Sequence, residues 1–157
     1  MADARLVGVL LGHIRLPMND ASPRAARDLV AMTARAWALA DEVAYRARLA
    51  TSELATNAVR HGSGTTMLVF STRVGTRLRA EVHDASPLMP VRRSPAVTDV
   101  SGRGLVIVED IVTDCGCYST RFGKATWFEI DTTWPIDLVD DGADLLLREN
   151  VRLPVRI

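Results

Sequence analysis

"SELATNAVRHG", residues 52–62, sets Glu53, Asn57 and His61 at four-residue intervals in a stretch otherwise rich in Ala and Leu. Residues four apart on an α-helix are neighbours on one face. At about 100° per residue the three side chains span an arc of roughly 80°. Ala50, Leu54 and Ala58 lie close to the same arc, so this face is expected to point inward. A carboxylate and an amide are costly to bury without partners. Either the protein satisfies them internally, or something binds there.

The helix carrying these residues is "ADEVAYRARLATSELATNAVRHG", with Asp41 and Glu42 in its first turn and Gly62 just beyond its end. Upstream, residues 5–16 read as a strand closing at Pro17. A first helix follows, with Ser22 as N-cap and Pro23 at its first position, running to about Leu39. Downstream, "TTMLVFSTRV" and "RLRAEVHDA" are strands joined in a hairpin at Gly75-Thr76.

A long Pro- and Arg-rich loop, "SPLMPVRRSPAVTDVSGRG", comes next, of the length found in functional lids or disordered segments. "GLVIVEDIVTDC" then fits a helix despite its β-branched content. "GCYSTRFGKATWFEID" is a second hairpin turning near Gly123. The order is β-α-α-β-β-(loop)-α-β-β. Strands gathered in hairpins, not alternating singly with helices, favour an α+β sandwich over a doubly wound sheet.

The chain has 157 residues, 48% of them hydrophobic, enough for one domain with a substantial core. Lys plus Arg equals Asp plus Glu at 19 each, and Lys124 is the only lysine. That balance supplies no basic field for nucleic acid or an anionic membrane. The apolar run Leu6–Gly12 is too short to span a bilayer and lacks the flanks of a signal peptide. Cys115 and Cys117 are the only cysteines, too few to close a zinc site. They read as ordinary thiols of a cytoplasmic protein.

Four stretches carry possible chemistry. On the helix, Asn57 could join substrate phosphates in holding Mg²⁺, and Glu53 could take a proton from an attacking hydroxyl or water. The bland alternative is a solvated face or a mutual hydrogen bond. Asp84 in "EVHDASP" either forms a turn before Pro87 or accepts a hydrogen bond from an exocyclic amine such as that of adenine. His83 faces the other side of the strand.

"SGRGL", Ser101–Leu105, opens a helix where glycines and free N–H groups suit an anion, or serve only as a hinge. Arg103 contacts phosphate there, or only water. The stretch is neither a Walker A loop nor a dinucleotide fingerprint. Gly123 and Lys124 mark a commonplace turn.

Taken in order, "ELATNAVRHG", "HDASP", "GRGLVIVE" and "GKATWFEI" resemble the N-box and the glycine boxes of the GHKL ATPase superfamily (gyrase, heat-shock chaperone, histidine kinase and MutL types). The likeness covers roughly residues 12–131 and is strongest to the stand-alone bacterial group that includes anti-sigma-factor serine kinases. It implies a two-layer α/β sandwich with a mixed or antiparallel sheet and about three helices on one face. The domain would be residues 1–131, with 132–157 an extension and not an independent domain.

By that resemblance Glu53 is the general base, Asn57 the Mg²⁺ ligand, and Asp84 the reader of the adenine amine. Gly102 and Gly104, with Arg103 between them, belong to the lid over the phosphates, and Gly123 lies near the base or ribose. ATP and Mg²⁺ are the implied cofactors. The first glycine box departs from D-x-G-x-G, since Ser86 and Leu88 stand where the glycines are expected. Pro87 also restricts Ser86 to extended geometry.

The implied function is a serine/threonine protein kinase that phosphorylates a small antagonist protein and binds a sigma factor. The alternative is a non-catalytic ATP-binding switch that docks a regulatory partner. A homodimer is compatible with either; nucleic acid and membrane are not expected partners. No helix presents a phosphoacceptor histidine. The tail, in which "VRLP" at 151–154 echoes "IRLP" at 14–17, is expected to pack across a sheet edge or a dimer seam.

Overall fold

The computed structural model describes residues 8–88 and 103–135. They form β1 (Val9–Pro17), α1 (Ser22–Ala36), α2 (Asp41–His61), β2 (Thr66–Val74), β3 (Arg77–Asp84), α3 (Arg103–Ile111), β4 (Asp114–Thr120) and β5 (Gly123–Asp131). Residues 89–102 of the long loop, and the extension from residue 136 with its expected edge or seam packing, lie outside the described residues.

The strands make one sheet in the order β1-β2-β3-β5-β4, and every pair is antiparallel. The "mixed or antiparallel" expectation thus resolves to antiparallel. Two hairpins, β2–β3 and β4–β5, are laid side by side. The connection through α3 carries the chain out to the edge, and β5 returns between β4 and β3.

Alternation along β3 divides the two faces. Leu78, Ala80 and Val82 join the core beneath the helices together with Met67, Val69, Phe128 and Ile130. Arg77, Arg79, Glu81 and His83 point the other way. There the buried Arg79 guanidinium lies 4.1 Å over the Trp127 ring and bonds Glu81 at 2.6 Å and Glu129 at 2.8 Å. Glu81 also meets His83 and the Tyr118 hydroxyl, each at 2.7 Å.

The helices pack through small residues. Ala44, Ala47, Ala50, Ala55 and Ala58 of α2 are buried with Ala26, Val30 and Ala34 of α1, so the two backbones approach closely. Thr51, fully buried, returns its hydroxyl to the Ala47 carbonyl at 2.7 Å. Arg46 donates to the Ile111 carbonyl at 2.6 Å and so caps the C-terminus of α3.

Two helix boundaries differ from the sequence reading. Ser22 is not an N-cap: Ala21 holds that position, and the Ser22 hydroxyl bonds the Pro17 carbonyl and Asn19 instead. Pro23 does stand in the first turn. α1 stops at Ala36, short of Leu39, because Ala38 adopts φ 55°. The Ala38 N–H bonds the Arg35 carbonyl and the Leu39 N–H bonds the Ala34 carbonyl, which is a Schellman ending with alanine where glycine is usual.

Candidate functional site

The end of β3, the end of α2 and the start of β5 converge on Asp84. Its neighbour Ala85 donates to the Ser63 carbonyl at 2.9 Å, tying β3 to the turn after α2. Gly62 packs so closely that a Cβ there would come 2.9 Å from the Asp84 carboxyl carbon. Gly123 is tighter still, for a Cβ on it would meet the Asp84 carbonyl oxygen at 2.1 Å. Both glycines leave room where three backbones crowd.

Asp84 itself is buried, at 7% exposure. Its Oδ1 accepts the Ser86 N–H at 2.7 Å, and the Ser86 hydroxyl accepts the Leu88 N–H at 3.2 Å. The D-x-S-P departure is therefore a built turn, in which the aspartate and serine side chains satisfy the backbone that glycines would leave free. Lys124, directly opposite Asp84 in the register, places its ammonium 3.3 Å from each carboxylate oxygen.

Cys117 stands nearby on the same side of the sheet, half-buried, and accepts the Thr126 hydroxyl at 3.8 Å. Burial pushes its thiol up. Neither cysteine forms a disulfide among the described residues, which also hold no cluster of His, Cys, Asp or Glu suited to a metal.

Along α2 from this point, Asn57 lies five residues before Gly62, about 7.5 Å of helix rise, and Glu53 one turn beyond it. Ala50, Leu54 and Ala58 are buried as expected, but Glu53 and Asn57 are only half-buried and His61 is exposed. The polar stripe thus runs along the rim of the buried face. Among the described residues neither Glu53 nor Asn57 has a side-chain partner. Among the described residues the pair is therefore not satisfied internally, and it stands at a half-buried rim open to solvent or a ligand.

Arg103 and Gly104 are the first two residues of α3. Gly102 lies outside the described residues. The structure brings Asp84 and Gly123 into contact and sets Asn57 and Glu53 in sequence along the helix that ends beside them. His83 faces away, toward Phe70, Tyr118 and Glu81, as its strand position requires.

Sequence reasoning missed Lys124, which it treated as a turn residue. The available signals were that Lys124 is the chain's single lysine and that it stands at the start of a strand that had to pair with the Asp84 strand. The closeness of Gly62 to Asp84 was also missed, since no local pattern encodes it.

An open antiparallel sheet under one layer of helices is an α+β sandwich of the GHKL ATPase type. The chain belongs to the histidine kinase-like ATPase domain family, whose pattern matches residues 16–130.

Among solved structures it is similar to the RsbU and RsbW domains of Rv1364c from Mycobacterium tuberculosis. That match has a TM-score of 0.60 and 20% identity, and covers 82% of this chain and 34% of that one. The histidine kinase domain of the Erythrobacter litoralis EL346 blue-light activated histidine kinase is 21% identical, with a TM-score of 0.44, over 71% of this chain and 50% of that one. The chain thus spans a third to a half of these neighbours. No curated protein matches the sequence. Among the described residues no helix is long and apolar enough to cross a membrane.

The donor set fits a magnesium nucleotide. Among the described residues Asn57 offers an unpartnered hard oxygen and Glu53 an unpartnered carboxylate, and Asp84 keeps a buried carboxylate at the far end.

Proposed function

We propose that this protein is a cytoplasmic, ATP-binding regulatory protein that phosphorylates a serine or threonine on a small antagonist protein and docks a sigma factor. The observation that carries the reading is the pair of half-buried side chains Glu53 and Asn57, unpartnered among the described residues, on the helix that ends against the buried Asp84. In a domain of this family, polar groups left open in that arrangement have a ligand as their natural complement.

ATP with Mg²⁺ supplies the phosphoryl group. Asn57 contributes an oxygen to the metal, and Asp84 accepts from the base and sets the nucleotide's depth. Glu53 receives the proton of the attacking hydroxyl. Phosphoryl transfer demands mostly positioning and charge neutralisation, and these four roles need few residues. The C-terminus of α3 is held at Arg46, near the start of α2, and in this reading the N–H groups at Arg103 and Gly104 face the phosphates.

A second reading, a non-catalytic ATP-binding switch, is favoured by one observation. The turn at Asp84–Leu88 is pinned by side-chain hydrogen bonds where glycines would leave it free to close. Nucleotide-dependent partner binding with no phosphoprotein formed would select it.

Calorimetry with ATP, with and without Mg²⁺, on the native protein and Asn57→Ala tests the site. Saturable binding that needs Mg²⁺ and weakens by about tenfold or more in the variant is expected. No heat at millimolar ATP overturns the reading.

A further inference from the structure

α3 carries two acids, Glu109 and Asp110, in its last turn and no basic residue there. Carbonyls left open at a helix C-terminus favour a cation, and acids beside them oppose the dipole. The cation comes from another helix. Arg46 of α2 donates its Nε–H to the Ile111 carbonyl at 2.6 Å, 65 residues away in sequence, while its link to Glu42 is a loose 3.8 Å. The carbonyl bond is therefore the guanidinium's principal engagement among the described residues.

Arg46 also lies on the polar stripe of α2. At about 100° per residue, Glu53 falls roughly 20° to one side of it and Asn57 roughly 20° to the other. The stripe thus continues to the point where α3 is pinned. From Arg46 the helix rises about 10.5 Å to Glu53 and about 16.5 Å to Asn57. The nine residues of α3 span about 13.5 Å. α3 packs against α2, and only five residues of α2 precede Arg46. A helix pinned there has the rest of α2 to lie along, which brings its first residues level with the acid–amide pair.

The same end of α3 is tied to the sheet. The Thr113 N–H bonds the Glu129 carbonyl at 2.8 Å, and the Thr113 hydroxyl accepts the Asp131 N–H at 2.8 Å. Main-chain bonds thus hold that end against β5, and Arg46 holds it against α2.

We propose that Arg46 is a positioning residue: by fixing the end of α3 on the polar stripe, it keeps the start of α3 beside Glu53 and Asn57, where the phosphates of a bound nucleotide lie. The proposal rests on the nucleotide site proposed above and adds to it a residue that touches no ligand.

The test is calorimetry of Mg·ATP and of adenosine binding to the full chain, in the native protein, Arg46→Met and Glu42→Gln. Methionine keeps the apolar stem and removes the donor. Arg46→Met is expected to weaken ATP by about tenfold or more and adenosine by less than about twofold, because Asp84 and Gly123, on β3 and β5, hold the base end in this reading. Glu42→Gln leaves the carbonyl bond in place and should bind ATP within about twofold of the native protein. A merely structural contact would lower the unfolding midpoint without separating the two ligands.

ATP affinity within about twofold of native in a folded Arg46→Met overturns the inference and leaves the nucleotide site standing. Equal weakening of ATP and adenosine does the same. No binding of ATP to the native chain overturns both. Should Arg46→Met not fold, hydrogen exchange of the native chain decides. The amides of α3 should gain protection with Mg·ATP and not with adenosine, and equal protection with both refutes the role of Arg46.

Discussion

Gly62 and Asp84 touch across 22 residues of sequence: a methyl on the glycine would sit 2.9 Å from the carboxyl carbon and 2.3 Å from the Ala58 carbonyl. The glycine has φ −77°, an ordinary value, so space and not backbone freedom explains its presence. The helix that carries Glu53 and Asn57 is thereby locked to the strand end that carries Asp84. The turn after α2 repeats the link through the Ser63 carbonyl and the Ala85 N–H.

Gly123 closes the third side. A Cβ there would meet Asp84 O at 2.1 Å and Ala85 backbone atoms at 2.6 Å, none of which can swing aside. Gly75, also at positive φ, has nothing within 4 Å. Gly123→Ala is therefore expected to cost about 3 kcal/mol or more, and Gly75→Ala only the left-handed penalty of about 1–2 kcal/mol. Urea unfolding of both variants checks the order, and equal losses would refute the crowding of Gly123 against Asp84 and Ala85.

Ala38 gives the opposite expectation. It supplies the left-handed residue of the Schellman ending of α1 at φ 55°, a conformation that an L residue with a Cβ adopts at a cost. Ala38→Gly removes that strain but loosens the unfolded chain. A net gain of about 0.5–1 kcal/mol is expected in the same unfolding measurement. A loss would mean that the ending is not held as described.

Much of this architecture is legible in local patterns. The 3.6-residue spacing of alanines set α2, the Gly75-Thr76 pair set the first hairpin, and alternation put His83 and Asp84 on opposite faces. Helix ends were less legible. The Ser22 hydroxyl had a competing partner in the Pro17 carbonyl, and Ala38 carries no signal for a left-handed turn. Lys124 escaped notice because its role comes from strand pairing, Asp84 against Lys124, forty residues apart. No window of sequence short enough to show a period contains both.

Glu81 governs the acid limb of stability on the face away from the helices. Burial pushes its carboxyl up, but the His83 hydrogen bond, the Arg79 charge and the Tyr118 hydroxyl together outweigh it and hold the group below its ordinary 4.5. A depressed carboxylate contributes stability that is fully present above the unfolded value and lost as pH falls through the folded one. Replacing it by Glu81→Gln should cost on the order of 1–3 kcal/mol at pH 7. That gap should hold down to the ordinary value of 4.5 and narrow below it. Denaturation curves across the acid range check this, and a gap that widens on acidification would show that Glu81 is not held as an anion.

Glu53 separates binding from chemistry. Its carboxylate has no partner among the described residues, so its removal leaves no buried charge orphaned and no hydrogen bond broken. Glu53→Ala is expected to keep native stability within about 0.5 kcal/mol and to keep nucleotide affinity within about threefold. Loss of a general base should lower transfer to a phosphoacceptor protein by about 10²–10⁴-fold. Single-turnover transfer from radiolabelled ATP to a captured partner measures the rate, and calorimetry the affinity. Undiminished transfer would remove Glu53 from the base's role. Transfer absent from the native protein as well, with nucleotide binding intact, would make the domain a switch whose open carboxylate does no chemistry.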